Sequence, residues 1–221
     1  MAGVGGQGVL LASTVLGNAG LAEGKEVVLS ELHGMAQRGG SVVATLRIGE
    51  GVTSPLIEKG GADVLLGFEP VETYRYLSFA HRGTYIIMNT TPIFPIQVSM
   101  GLEKYPDLNV VLDAIDEISD RLFPIDANDL AEKAGNRLAA SSVLIGAITG
   151  LKDFPISREA VERALLRRVP AQYADANQKA FAIGYENMKS RFPGSRDQNE
   201  ETEQSLDHGR WNGSSQTSIP L

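Results

Sequence analysis

The chain has 221 residues, no cysteine and a formal net charge of −7. A cysteine-free chain cannot hold a disulfide, a cysteine-ligated iron–sulfur cluster, a thiolate zinc site or a cysteine nucleophile. Its negative balance argues against nucleic acid, or an anionic membrane, as a partner recruited by bulk charge. With 43% hydrophobic and 21% charged residues the composition suits one globular domain. There is no apolar run of membrane-spanning length and no opening signal-peptide pattern, so the expected compartment is the cytoplasm.

The first eight residues, Met-Ala-Gly-Val-Gly-Gly-Gln-Gly, contain a G-x-G-x-x-G loop at Gly3, Gly5 and Gly8. Such a loop leaves a strand, turns tightly and aims backbone N–H groups at a phosphate on the following helix N-terminus. The spacing predicts that helix over residues 9–22, with Gly24 at its C-terminal cap. Almost no chain precedes Gly3 here, so the first strand is expected to be truncated.

Strand and helix then alternate. Residues 27–32 read as a buried strand, 34–40 as a glycine-punctuated loop, and 41–48 as an alternating strand with Val42, Ala44, Leu46 and Ile48 on one face. A strand at 62–68 precedes a helix at 71–80, and another strand follows at 84–88. Residues 108–122 read as a helix and 123–125 as a short strand. Asp126 is placed to cap a helix running to Ala134. Residues 139–149 are apolar nearly all round, which predicts a buried helix. Two amphipathic helices, 157–169 and 174–189, complete the domain. The fold class expected is α/β: a three-layer α/β/α Rossmann-like sheet, mostly parallel, over residues 1–190. Residues 191–221 are polar and are expected to be a disordered tail, with Trp211 as its one large apolar residue.

Candidate binding residues fall just after the predicted strands. In open sheets of parallel strands, ligands bind at the C-terminal strand edge. The glycine loop (Gly3, Gly5, Gly6, Gln7, Gly8), Glu31 and His33, Glu69, and Asn89 with Thr90 and Thr91 would then converge on one crevice. Gln37 and Arg38 precede a Gly-Gly pair, and a guanidinium there suits bidentate contact with phosphate or carboxylate. Each has a plainer reading. Glu31 can be a ribose acid or an ordinary strand residue, and His33 a proton shuttle or a loop histidine bonded to backbone. Arg38 can pair with Glu31 or Glu69. Glu69-Pro70 can simply cap a helix, and Asn89-Thr90-Thr91 can be an Asx or ST turn. The three histidines, His33, His81 and His208, lie without ligand spacing. No nucleophile–base pair, acid pair or metal cluster stands out, so no catalytic residue and no metal site is assigned.

The chain resembles a known family. The residues carrying the resemblance are Gly3-Val-Gly-Gly-Gln-Gly8, Gly17-Asn18-Ala19, Glu23-Gly24 and, most specifically, the Gly-Met-Ala-Gln-Arg core of the Glu31–Val42 stretch. Ser54-Pro-Leu-Ile-Glu58, Ala62-Asp63, Glu69-Pro70, Asn89, Pro92-Ile93, Tyr105-Pro106 and residues 177–185 continue it. These are similar to the gamma-type small subunits of 2-oxoacid:ferredoxin oxidoreductases, the indolepyruvate type above all. The resemblance implies a subunit inactive alone, within an enzyme that decarboxylates a 2-oxoacid on thiamine diphosphate, passes electrons through iron–sulfur clusters to ferredoxin, and forms an acyl-CoA. It implies that thiamine diphosphate and the clusters sit on a large partner subunit. Coenzyme A would contact the glycine loop, Gln37, Arg38 and Asn89, with Glu31, His33 and Glu69 at the edge of the site. Members of the family carry several apolar residues ahead of the glycine loop. Two other readings stay open from the residues: a stand-alone nucleotide-binding Rossmann-like oxidoreductase, and an assembly subunit without a ligand.

Overall fold

A computed structural model describes residues 1–33 and 39–192, apart from the side chain of His33. Gln37 and Arg38, and the predicted tail beyond residue 192 with Trp211, lie outside the described residues. Among the described residues six strands form one sheet: β1 (Ala2–Val4), β2 (Val27–His33), β3 (Ser41–Ile48), β4 (Val64–Gly67), β5 (Tyr85–Asn89) and β6 (Leu122–Ile125). Their order is β2-β3-β1-β4-β5-β6. The strands β1, β4, β5 and β6 are parallel neighbours, while β3 runs antiparallel to both β1 and β2. The sheet is thus mostly parallel, as expected, with β3 as the reversed member.

Helices cover both faces. On one side lie α1 (Val9–Ala22), α5 (Ala127–Lys133), α6 (Ala140–Thr149), α7 (Arg158–Arg168) and α8 (Ala174–Lys189). On the other lie α2 (Pro70–Arg75) and, after the short α3 (Ile96–Ser99), α4 (Leu108–Asp116). The period of two in the strands sorts the core. Val42, Ala44, Leu66, Ile87 and Ile125 face the α1/α6/α8 layer, and Leu65, Ile86 and Met88 face α2 and α4. The helix α6 is buried along its whole length because it is sandwiched between the sheet and α8. Its close approach to α8 depends on Gly184, where an added Cβ would sit 1.9 Å from the Val143 carbonyl oxygen.

The first strand is formed, although short. Its three residues hold the centre of the sheet, with Ala2, Gly3 and Val4 opposite Val43, Val42 and Ser41. The predicted helix over 71–80 stops at Arg75 and gives way to a 3₁₀ turn at Leu77–Phe79. The carbonyls of Ser78 and Phe79 are taken by the N–H groups of Gly60 and Ala62, which competes with continuing the helix. The predicted helix over 108–122 ends at Asp116 for a similar reason. Ser119 Oγ donates to the Thr84 carbonyl at 2.6 Å, and the Arg121 carbonyl accepts from Ile86 N–H, so the chain is drawn into β6 at Leu122. Asp126 caps α5 as expected, accepting from Asp129 N–H at 3.0 Å.

Candidate functional site

The strands β1, β2, β4, β5 and β6 all end at the same edge of the sheet, and β3 starts there. This edge holds the glycine loop, the end of β2 and the residues following β4 and β5. The chain leaves β1 toward β2 on one side and later returns to β4 on the other. The β1 terminus is therefore the topological switch point, where open α/β sheets bind ligands.

The loop from Gly5 to Gly8 is fixed by its own backbone and one side chain. Gly8 takes φ 89° as the residue before α1, and an added Cβ would lie 2.7 Å from the Ser141 Cβ. Gly6 takes φ 104°, with nothing among the described residues within 4 Å of a notional Cβ. Gly5 N–H donates to the Gly40 carbonyl at 2.8 Å, and Gly39 N–H donates to the Gly5 carbonyl at 3.4 Å. The chain that emerges from the 34–38 segment is thereby tied to the glycine loop. Among the described residues no side chain caps α1, and its first turn carries no acidic residue. Its N-terminal N–H groups and dipole thus remain available to an anion.

Gln7 turns inward. Its Oε1 accepts from Val4 N–H at 2.7 Å, and its Nε2 donates to the Phe68 carbonyl at 2.7 Å. Asn89, only 2% exposed, donates to the same Phe68 carbonyl at 3.2 Å and to Asn128 Oδ1 at 3.0 Å. Its Oδ1 accepts from Ala127 N–H at 3.0 Å at the start of α5. Both amides therefore act on the frame of the site, joining the ends of β1, β4 and β5. Thr91 N–H also reaches Asn89 Oδ1, at 3.4 Å, which is the Asx turn anticipated as one reading of this stretch.

Glu69 is 1% exposed and caps α2, its Oε2 accepting from Glu72 N–H at 2.9 Å. Its Oε1 accepts from the Tyr105 hydroxyl and from Ile93 N–H. Burial, first, and then the Glu69 carboxylate push the Tyr105 hydroxyl above its ordinary range, so it stays a donor. Tyr105 in turn packs edge-on against Phe94, with ring centroids 5.1 Å apart. Glu72, absent from the residue-level reading, is a second buried acid here. Ser41 Oγ donates to it at 2.6 Å, and Arg75 lies 3.2 Å away. The signal for it was its place in the first turn of a helix opened by Glu69-Pro70.

Glu31 sits two residues inside the end of β2 and accepts from Ser13 Oγ of α1 at 2.8 Å. The backbone of His33 ends β2 opposite Val42. The structure thus brings the glycine loop, Glu69 and Asn89 together around one carbonyl, with Glu31 further along the same edge. Among the described residues no group of three His, Asp or Glu side chains could hold a metal ion. A cavity of about 870 Å³ lies at the opposite edge of the sheet, away from this chemistry.

A family model for pyruvate ferredoxin/flavodoxin oxidoreductase matches residues 1–187. The chain belongs to this family. Within the pyruvate ferredoxin/flavodoxin oxidoreductases it is 41% identical over 191 residues to the indolepyruvate oxidoreductase subunit IorB of Archaeoglobus fulgidus, covering 86% of this chain and 94% of the relative. It is 43% identical over 188 residues to IorB of Pyrococcus horikoshii, covering 85% and 93%. The fold is shared with the gamma subunit of a keto/oxoacid ferredoxin oxidoreductase from Geobacter sulfurreducens, at TM-score 0.61 and 25% identity, over 86% of this chain and 96% of that one. It also matches the fold of part of the 2-oxoglutarate:ferredoxin oxidoreductase of Magnetococcus marinus, solved with 2-oxoglutarate, coenzyme A and succinyl-CoA bound. The TM-score there is 0.61 at 20% identity, over 86% of this chain and 30% of that chain. These relatives are oxidoreductases or their subunits.

Proposed function

We propose that this chain is the cluster-free small subunit of a 2-oxoacid:ferredoxin oxidoreductase, with an aryl pyruvate such as indolepyruvate as the oxoacid. The observation that carries the reading is the match along residues 1–187, joined to IorB relatives at 41% and 43% identity. These 221 residues include no cysteine, so none of them ligates an iron–sulfur cluster through sulfur. On this reading thiamine diphosphate, the decarboxylating cofactor, and the clusters that carry electrons to ferredoxin are held by a large partner subunit. A cytoplasmic location fits this reading.

The part left to this chain is to hold an acyl acceptor. The open face of Gly6 and the uncapped α1 N-terminus fit the phosphates of coenzyme A, with Gly3, Gly5 and Gly8 keeping the backbone close and Arg38 supplying charge. Gln7 and Asn89 hold the loop and strand ends so that its N–H groups stay aimed outward. Next to this edge Phe94, Ile96, Met100 and Leu102 are exposed, in a segment pinned by Glu69 through Ile93 and Tyr105. Apolar side chains exposed together suit a partner surface.

Reconstitution tests the reading. The pure chain should be colourless and inactive, and indolepyruvate- and coenzyme A-dependent ferredoxin reduction should appear only on adding a thiamine-diphosphate- and cluster-bearing large subunit. Oxoacid oxidation by the pure chain would overturn it. Nicotinamide-dependent turnover by the chain alone would favour a stand-alone dehydrogenase instead.

A further inference from the structure

The two outermost strands of the sheet, β2 and β6, differ in how they meet their surroundings. Strand β6 is four residues long and contains Pro124, whose carbonyl accepts from the Arg191 guanidinium at 3.3 Å. Phe192 packs on Phe123 of the same strand, with ring centroids 5.7 Å apart. Shortness, a proline and a covering segment all close a sheet edge to further pairing. Strand β2 has none of these. It is seven residues long, contains no proline, lysine or arginine, and pairs with β3 from Val27 to His33 without a bulge. Among the described residues no strand lies on its far side.

The register states which groups that side presents. Met1 and Ala44 exchange both main-chain bonds, each at 2.9 Å, so Ala44 and the even-numbered residues of β3 bond toward β1. Bonded pairs alternate along an antiparallel ladder. The odd-numbered residues of β3 therefore bond to β2, where Val28, Ser30 and Leu32 are their partners. This leaves the N–H and C=O groups of Val27, Leu29 and Glu31 pointing outward, with no partner among the described residues. The side chains of these three lie on the α1 side. Val27 is the nearest neighbour to a Cβ added at Gly17 or Gly20, and Glu31 accepts from Ser13 Oγ. Leu29 is 36% exposed between them, and Leu32, on the other face, is 66% exposed.

From this contrast we propose that β2 joins two copies of this chain, antiparallel, about a two-fold axis at Leu29, so that their sheets become one. Charge selects both the occupant and the register. With the axis at Leu29, Leu29 lies opposite its own copy and Val27 opposite Glu31 of the second copy, each pair exchanging two main-chain bonds. Lys25, just ahead of the strand, then lies diagonal to Glu31 of the second copy, a pair of opposite sign. Setting Leu29 opposite Glu31 instead brings the two Glu31 carboxylates diagonal to each other, and an axis at Glu31 sets them face to face. Both are unfavourable. The closed state of β6 makes the contact self-limiting. A β2-to-β6 pairing could repeat into a filament, whereas β2 on β2 uses up the open strand of each copy.

The test follows the full chain from dilute to concentrated solution by sedimentation equilibrium and amide exchange. A monomer–dimer equilibrium should appear. As dimer forms, exchange at Val27, Leu29 and Glu31 should slow by about ten-fold or more, while Val28, Ser30 and Leu32, already bonded to β3, should not change. Leu29→Lys sets two like charges directly opposite at the axis and should weaken the dimer by about five-fold or more. Leu29→Thr, which keeps a strand-favouring side chain without charge, should weaken it less. A chain that stays monomeric at every concentration would overturn the proposal. So would a dimer whose Val27, Leu29 and Glu31 amides exchange as in the monomer. Protection of those amides only on adding a large subunit would overturn it too, giving β2 to a strand of that subunit.

Discussion

The two edges of the sheet are finished to different degrees. At the C-terminal edge Gln7, Glu69, Glu72 and Asn89 all bind main-chain groups or one another's neighbours, and what faces outward is glycine backbone and an uncapped helix. At the opposite edge a cavity of about 870 Å³ opens beside β3 and the residues leading into β4. One short strand, β1, touches both: its last residue, Val4, opens the glycine loop, and Met1, just ahead of it, lines the cavity. On the proposed reading, a binding edge is defined by satisfied side chains around open backbone, and cavity size alone points to the other end of the molecule.

The C-terminal edge should be the more easily broken. Glu69→Ala removes the cap of α2 and leaves the partly buried Tyr105 hydroxyl without its acceptor, which should cost about 2 kcal/mol of stability. Urea unfolding measures this, and Glu69→Gln, which keeps the shape and an acceptor oxygen, should lose clearly less. On the proposed reading, function should separate from stability at Arg38. In the assembled enzyme Arg38→Ala should raise the Michaelis constant for coenzyme A by roughly ten-fold or more, the equivalent of about 1.5–3 kcal/mol, with little change for the oxoacid. An intact coenzyme A constant with lost subunit association would assign the arginine to the interface.

The cavity edge has its own signature in pH. Burial lowers the Met1 amino group from 8.0 to about 5, although Met1 as a whole residue is only partly buried. Between those values the unfolded chain binds the extra proton. Stability of the chain beginning at Met1 should therefore be highest above pH 8 and fall toward pH 5, by up to about 1.4 kcal/mol per pH unit. Acetylating Met1 should flatten that slope, which thermal melts at several pH values would show. The smallest effect is expected from Asp120→Asn. Its ion pair with Arg82, at 2.8 Å, is exposed on both sides and should be worth no more than about 0.5 kcal/mol by chemical unfolding.

Much of this architecture is legible in the sequence. The glycine loop, the alternation of 41–48 and the apolar run of α6 each carry one unmistakable period or turn, and Asp126 announces its helix. The helix boundaries after residues 75 and 116 are not legible, because distant segments set them: Gly60 and Ala62 N–H take the Ser78 and Phe79 carbonyls, and Ser119 and Arg121 bond to Thr84 and Ile86. The reversed direction of β3 is also hidden, since alternation reads the same both ways. At the site, the glycines and Glu69 are visible by type, but the inward turn of Gln7 and Asn89 is decided by the Phe68 carbonyl, which no local pattern announces. Glu72 and Tyr105 escape for the same reason: each gains its role from a partner many residues away.

The Phe68 carbonyl receives one amide from Gln7, in the loop after β1, and another from Asn89, at the end of β5. Its oxygen has two lone pairs, and these two donors occupy both. The atom therefore works as a common rivet through three adjacent strand ends. A force that lifts the glycine loop must break Gln7 from the same oxygen that holds Asn89, and Asn89 also holds the first amide of α5. Movement of the loop on loading or release would then reach the start of α5 through two side-chain amides, without any change in the helices between them.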